Sequence, residues 1–319
     1  MPKYTTDDLH TLVDKACDGD RRSLARLLTI VERGGPDARV VAASVHPRGG
    51  GAHTVGITGA PGAGKSTLTN ALLTSLRSDG SEIAVLAIDP SSPFTGGAIL
   101  GDRVRMAEHV LDDGVFIRSM ATRGHLGGLA LAAREAIRVL DATGRPWLVL
   151  ETVGVGQVEV AVVEATDTTV VVVNPGWGDA VQANKAGLME IADILVVNKA
   201  DRDGTEDTVR DLENMLDMSA HSDWRPPVLR TVATDAEGVA ELHAAIEAHR
   251  DHMTSTGALV ERRRAQYTDE LREIIARTLA ERARVTATGE AFEATRQAVE
   301  ERQVDPWTAA EALLDGTST

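Results

Sequence analysis

From His53 onward, short β-branched runs alternate with longer stretches of helical periodicity: His53 to Thr58, Glu82 to Ile88, Val115 to Ile117, Trp147 to Leu150, Thr169 to Val173, Ile194 to Val197 and Val228 to Val232. Several of these runs are apolar at consecutive positions, so both faces of the strand must be covered. That pattern predicts an α/β fold, a mainly parallel sheet flanked by helices, with ligands bound beyond the carboxyl ends of the strands. Upstream, Leu24, Leu27, Leu28 and Val31 recur at helical spacing after a cap near Thr6, which predicts an N-terminal helical extension over residues 1–52. Within it, Gly34 to Gly51 carries two prolines and a triple glycine and reads as a connection. After residue 255 the strands stop. Val260, Leu271, Ile274, Ile275 and Leu279 form a narrow apolar stripe on a charged helix. Asp305, Pro306 and Trp307 read as cap, first-turn proline and the start of another helix. Arg262, Arg263 and Arg264 read as a solvated face. The expected division is 1–52 as helical extension, 53–255 as the α/β domain and 256–319 as a C-terminal helical arm.

Composition narrows the partners. A formal charge of −15 over 319 residues disfavours nucleic acid and anionic membrane surfaces, both of which reward basic proteins. Cys17 is the one cysteine, which excludes an internal disulfide and suits a reducing compartment. The opening M-P-K-Y-T-T-D-D lacks the layout of a secretory signal, and no apolar run approaches bilayer length, so a soluble cytoplasmic protein is expected.

The chemistry begins at Gly59, Ala60, Pro61, Gly62, Ala63, Gly64, Lys65 and Ser66, which match the phosphate-binding pattern G-x-x-x-x-G-K-[ST] at every fixed position. The match lies between a predicted strand and a predicted helix, where the pattern has mechanical meaning. Its glycines let successive N–H groups converge on phosphate oxygens, and the helix start adds a positive dipole end. Lys65 is expected to reach the β- and γ-phosphates, Ser66 to offer its hydroxyl to Mg²⁺, and Thr67 to join the nucleotide contacts. These residues predict a P-loop NTPase.

Asn198, Lys199, Ala200 and Asp201 follow the sixth predicted strand, and this N-K-x-D tetrad resembles the guanine-reading element of P-loop GTPases. One carboxylate, Asp201, can accept both the N1–H and the 2-amino group of guanine, a donor pair adenine lacks. The Ala233 region after the next strand is the expected backbone contact to the guanine carbonyl. Glu151, Thr152, Val153 and Gly154 stand where GTPases carry D-x-x-G. Glu151 is expected to hold Mg²⁺ through water, and the Gly154 amide to sense the γ-phosphate. The next residue is Val155, at the place where Ras-type enzymes carry the glutamine that orients water, so slow intrinsic hydrolysis is expected. Gln157 can take that role only if its loop bends back; its other reading is a surface amide. Asp89, at the end of the second strand, and Asp102, in a glycine-rich segment, are further candidates for the metal shell or for positioning water.

The stretches Asp89 to Met106, Ala121 to Ala130, Glu151 to Glu159 and Asn174 to Asp193 together resemble the methylmalonyl-CoA mutase-associated GTPases, the MeaB/ArgK type of P-loop GTPase. The resemblance covers about residues 20 to 255. It implies a G-protein chaperone of an adenosylcobalamin-dependent acyl-CoA mutase, using GTP, GDP and Mg²⁺, coupling hydrolysis to cofactor delivery and mutase protection, and forming a homodimer through C-terminal helices. It also implies that Asp89 to Met106 is switch I, Glu151 to Glu159 switch II, and Gly176 to Lys185 an additional switch III, with Asp179, Gln182 and Lys185 as its contacts. His125 departs from the polar residue some members carry there and bears on partner choice. Three rivals are a kinase or ATPase acting on a transport protein, opposed by Asp201, a metallochaperone GTPase, opposed by a single cysteine and scattered histidines, and a nucleotide-locked interaction module with negligible hydrolysis, which multiple-turnover phosphate release tests; His249 and His252 read as helix-surface residues.

Overall fold

The computed structural model describes residues 4–89, 109, 111–121, 126–152, 164–176, 190–218 and 223–314. Three helices lead: α1 (Thr6–Cys17), α2 (Arg21–Arg33) and α3 (Pro36–Val45). Then come β1 (His53–Gly59), α4 (Lys65–Arg77), β2 (Ile83–Asp89), β3 (Val115–Ala121), α5 (Leu126–Asp141), β4 (Trp147–Thr152), β5 (Thr168–Val173), β6 (Ile194–Asn198), α6 (Thr205–Met218), β7 (Val228–Thr231) and α7 (Val239–Thr256). The chain closes with α8 (Ala258–Thr286), α9 (Glu290–Glu300) and α10 (Pro306–Leu314).

The seven strands form one parallel sheet in the order β3-β2-β4-β1-β5-β6-β7. Consecutive apolar residues divide between its two faces as the pattern required. Ala84, Leu86 and Ile88 of β2 join the cluster built by α1, α2, α3 and α5, whereas Ile83 and Val85 face Leu68, Leu72 and Leu76 of α4 and Leu242 and Ile246 of α7. In β5, Val170 and Val172 share the α4/α7 side, and Val171 and Val173 pack with Val209, Leu212 and Leu216 of α6. Each fully buried Leu, Ile or Val contributes roughly 1.5–3 kcal/mol of transfer free energy. β1 lies mid-sheet between β4 and β5, so its carboxyl end opens over the centre of the sheet, where a reversal in strand order makes a crevice.

The N-terminal helices follow local rules. Thr5 caps α1 with a reciprocal Asp8 bond, and Asp20 caps α2 through the amides of Arg22 and Ser23. Three sequence expectations need correction. The connection expected over Gly34 to Gly51 contains α3, because Pro36 occupies the first turn, where its missing N–H costs nothing, and Ala38, Val41 and Val45 bury one face. Arg262 is not on a solvated face, since both its terminal nitrogens bind the Asp193 carboxylate. His249 is not a surface residue but fully buried.

By its internal contacts the chain divides after Arg262 into two units, Met1–Arg262 and Arg263–Thr319. In the second unit Asp305 caps α10 through the amides of Trp307 and Thr308, as the sequence predicts. Tyr267, Leu271, Ile274, Ile275, Leu279 and Val285 of α8 are all exposed. No described helix is long and apolar enough to cross a membrane.

Candidate functional site

At the carboxyl end of β1 the chain makes a turn that only glycine permits at two points. Gly59 has φ +134°, and a Cβ there would lie inside the van der Waals shell of the Val172 carbonyl on β5. Gly64 caps α4 in the left-handed region at φ +89°, and a Cβ there would collide with the side-chain amide of Asn198. Both positions therefore need a residue without a side chain. The turn is pinned to the sheet by the Ala60 amide, which donates to the Val172 carbonyl at 3.1 Å. The result is a loop of backbone amides ending in a helix N-terminus, the arrangement that binds anionic oxygen.

Lys65 and Ser66 open α4 and are both buried. The Lys65 ammonium donates to the carbonyls of Gly59 at 2.8 Å and Ala60 at 3.0 Å, which holds its charge directly over the turn. The Ser66 hydroxyl donates to the Glu151 carboxylate at the carboxyl end of β4. Glu151 reaches this point because its backbone lies beside Ile57 in the β1–β4 register. One hydroxyl and one carboxylate side by side form a hard-oxygen pair of the type that Mg²⁺ selects. Next to them, Thr152 donates to the Thr58 hydroxyl at 3.1 Å and ties the last residue of β4 to β1.

The N-K-x-D segment interlocks with the same turn from the other side. Asn198 ends β6 and is buried; its amide donates to the Ala63 carbonyl at 2.8 Å, and its oxygen accepts from the Thr231 hydroxyl at 3.0 Å and the Ala233 amide at 3.2 Å. Lys199, held at φ +59°, donates to the Gly62 carbonyl at 2.6 Å. A non-glycine residue in the left-handed region is uncommon and recurs at binding loops. Asp201 is exposed at the end of this turn. Two motifs more than a hundred residues apart thus form one continuous hydrogen-bonded surface.

Of the residues singled out from the sequence, Gly59 to Thr67, Glu151, Asn198, Lys199, Asp201 and Ala233 are described; Asp89 ends β2, but its side chain lies outside the described residues. Asp102, His125, Gly154, Gln157, Asp179, Gln182 and Lys185 also lie outside them. Thr231 and the Thr58–Thr152 pair were not anticipated. Thr231 stands two residues ahead of Ala233 with no motif of its own, and a threonine at a strand end carries no linear signal.

The family model described as methylmalonyl Co-A mutase-associated GTPase MeaB matches residues 24–288. The chain belongs to the MeaB family. A predicted GTPase of Pyrococcus abyssi is 48% identical to this MeaB-family protein over 307 residues, covering 95% of each chain. The GTPase ArgK of Escherichia coli is 37% identical over 265 residues, 80% of each chain. Among solved structures, one described as an LAO/AO transport system kinase superposes over the full length of both chains with a TM-score of 0.72 at 28% identity. Its fold supports the assignment of the MeaB-family chain as a P-loop NTPase with a parallel sheet between helices. Membership of a GTPase family carries guanine-nucleotide binding as the shared property.

Proposed function

We propose that this protein hydrolyses GTP to GDP and phosphate with Mg²⁺ and serves as a G-protein chaperone of an adenosylcobalamin-dependent acyl-CoA mutase. The observation that carries the nucleotide part is the interlock of Asn198 and Lys199 with the carbonyls of Ala63 and Gly62, which brings the base-reading and phosphate-binding motifs together. The mutase part rests on the family description. We assign Gly59 to Thr67 to the phosphates, with Lys65 moving from the carbonyls of Gly59 and Ala60 onto the β- and γ-oxygens. Ser66 and Glu151 fit a magnesium site by donor chemistry, Ser66 as a direct ligand and Glu151 through water. When bound, the metal supplies charge neutralisation at the phosphate oxygens. Asp201 reads guanine, and the Ala233 region supplies the backbone contact to the guanine carbonyl, next to the amide that Ala233 donates to Asn198.

In the reaction, water adds to the γ-phosphorus and the bond from that phosphorus to the β-bridging oxygen breaks. Lys65 and the amides of the turn stabilise the negative charge that spreads over the phosphoryl oxygens. On the family resemblance we assign Asp89 and Asp102 to the metal shell or water, Gly154 to the γ-phosphate and Gln157 to water. Lys185 we place in a third switch that reports nucleotide state to the mutase. With valine at position 155, intrinsic turnover is expected at about 10⁻⁴ to 10⁻² s⁻¹, the range of unassisted GTPases. We also propose a division into a 1–52 extension, a 53–255 GTPase domain and a 256–319 arm. The exposed apolar row Tyr267, Leu271, Ile274, Ile275 and Leu279 supports homodimerisation through that arm.

Calorimetry with GTP and ATP tests the nucleotide assignment; equal or preferential ATP binding overturns it. Phosphate release with and without a candidate mutase, and recovery of that mutase on the GTP-loaded protein, test the chaperone assignment. No stimulation by any adenosylcobalamin-dependent mutase of the source organism, and no capture of one, overturns that part alone.

A further inference from the structure

The end of β5 is tied to the phosphate turn at one point and to the helix behind the base-reading loop at another. Val172 of β5 accepts the Ala60 amide and so carries the turn. Just past the strand, the Gly176 amide donates to the Thr208 hydroxyl of α6 at 3.3 Å, and that hydroxyl donates to the Gly204 carbonyl at 3.0 Å. The two backbones also approach closely there. A Cβ placed on Gly204 would lie 3.8 Å from the Gly176 nitrogen and 4.0 Å from Cβ of Pro175. Gly176 and Gly204 have φ of +81° and +87°, so both ends of the contact use a conformation that glycine adopts without strain.

The same helix holds the base-reading loop. Thr205, the first residue of α6, sets its hydroxyl 2.8 Å from the Arg202 carbonyl and 3.2 Å from the Ala200 carbonyl. The Ala200 amide donates to the Thr231 carbonyl at 3.0 Å, and the Arg202 amide to the Lys199 carbonyl at 3.1 Å. Asp201 therefore stands between two residues gripped by the start of α6. A helical threonine that bonds back to the carbonyl four residues earlier is ordinary. Thr208 does more, because its one proton is committed to Gly204 and its oxygen still accepts the amide of a residue 32 positions away. Thr208 is buried, so neither bond is readily exchanged for one to water. In the proposed reaction it touches neither base nor phosphate.

We propose that Thr208 is a positioning residue that fastens the chain leaving β5 to the base-reading loop, so that guanine at Asp201, and not the phosphates alone, sets the position of Asn174 to Gly176. The inference rests on the nucleotide reading given above. Guanine restrains Ala200 to Arg202, Thr205 carries that restraint into the first turn of α6, and the chain from Gly204 through Thr208 to Gly176 carries it to β5. By linkage, fixing Asn174 to Gly176 strengthens base binding by the same factor.

The test uses the full-length protein labelled with ¹³C at proline carbonyls and ¹⁵N at glycine, in which a carbonyl-filtered correlation shows only the amides of glycines that follow proline. The sequence has two, Gly62 in the phosphate turn and Gly176. Magnesium GDP is expected to move both signals and to slow exchange of the Gly176 amide with solvent, whereas magnesium tripolyphosphate, which has no base, is expected to move Gly62 and leave Gly176 near its nucleotide-free position. In Thr208→Val with GDP bound, the Gly176 amide is expected to exchange about fivefold faster than in wild type, the worth of one net hydrogen bond, with the Gly62 signal unchanged. Thr208→Ser keeps the hydroxyl and is expected to restore the wild-type rate. A Gly62 signal that ignores GDP overturns the nucleotide reading and this inference together. A Gly62 signal that responds while Gly176 does not, or a Gly176 signal that tripolyphosphate moves as far as GDP does, overturns the inference alone and needs no variant to fold. So does a Thr208→Val protein that matches wild type, or a Thr208→Ser protein that matches Thr208→Val.

Discussion

Asn198→Ala is the sharpest perturbation of the candidate site, because one side chain joins its two halves. The substitution removes the bond to the Ala63 carbonyl at 2.8 Å and leaves the Thr231 hydroxyl and Ala233 amide without the oxygen they donate to at 3.0 and 3.2 Å. All of this lies in a buried setting, with Asn198 only 2% exposed. Each bond contributes about 0.5–1.5 kcal/mol net, so the three together come to about 3 kcal/mol, with more lost if no water enters to satisfy the orphaned groups. If the whole of that loss falls on nucleotide binding it amounts to about a hundredfold in affinity. If part falls on the unliganded fold, the unfolding midpoint drops and the affinity loss is smaller. Urea unfolding without nucleotide and calorimetry with GDP, on the same preparation, separate the two shares. Asn198→Asp is the companion: it keeps an acceptor for Thr231 and Ala233 but sets a carboxylate against the Ala63 carbonyl, so it is expected to weaken nucleotide binding while unfolding closer to wild type. An Asn198→Ala protein with wild-type unfolding and wild-type GDP affinity would refute the claim that this residue couples the motifs.

Three further outcomes follow from particular contacts. Gly59→Ala forces a Cβ into the Val172 carbonyl and is expected to abolish nucleotide binding and lower the thermal midpoint, whereas Gly62→Ala, which meets no neighbouring atom and carries only the cost of φ +72°, is expected to be milder; equal effects on the thermal midpoint count against the steric argument. Burial raises the Asp193 carboxyl, but the hydrogen bonds and charges of Arg262 and His249 outweigh it and hold the group at about 2, below the ordinary carboxylate range, so its contribution of about 2 kcal/mol is present above the unfolded value and lost as pH falls toward the folded one. Arg262→Met removes the partner, and its acid unfolding is expected to begin at higher pH than wild type in urea titrations across the acid range; parallel curves would contradict the assignment. Asp201→Asn is expected to cost about ten- to a hundredfold in GTP affinity, the worth of charge-assisted bonds to guanine, with little change in stability because the side chain is exposed; unchanged competition between GTP and ATP would remove Asp201 from base recognition.

The features legible along the chain were those whose cause is local. The glycine-bordered lysine turn reads from the sequence because its positive φ angles and helix start depend on residues within a few positions of each other. The parallel sheet reads from consecutive valines, since Val170 to Val173 can be buried at every position only if both faces are covered. Capping near Thr6, where Thr5 caps α1, and at Asp305 is equally local. Glu151 and Asn198 stood out by position in a motif, but what they touch did not.

Tertiary structure decided the contacts between distant segments. The Asn198 amide meets Ala63 across 135 residues, and nothing near either one encodes the distance. Arg262, in a triple-arginine run that looks solvated, is drawn inward because Asp193 presents both its oxygens at the base of the sheet. His249 sits on a charged helix whose composition looks like surface, yet its ring is enclosed by Trp224 and Thr168. Backbone preference is a property of neighbours in sequence, whereas the burial and partner of a polar side chain depend on which strands are brought alongside it. The chain alone therefore determined the strands, most of the helices and the glycine-bordered turn, while the folded sheet determined which hydroxyl, amide and carboxylate complete the candidate site.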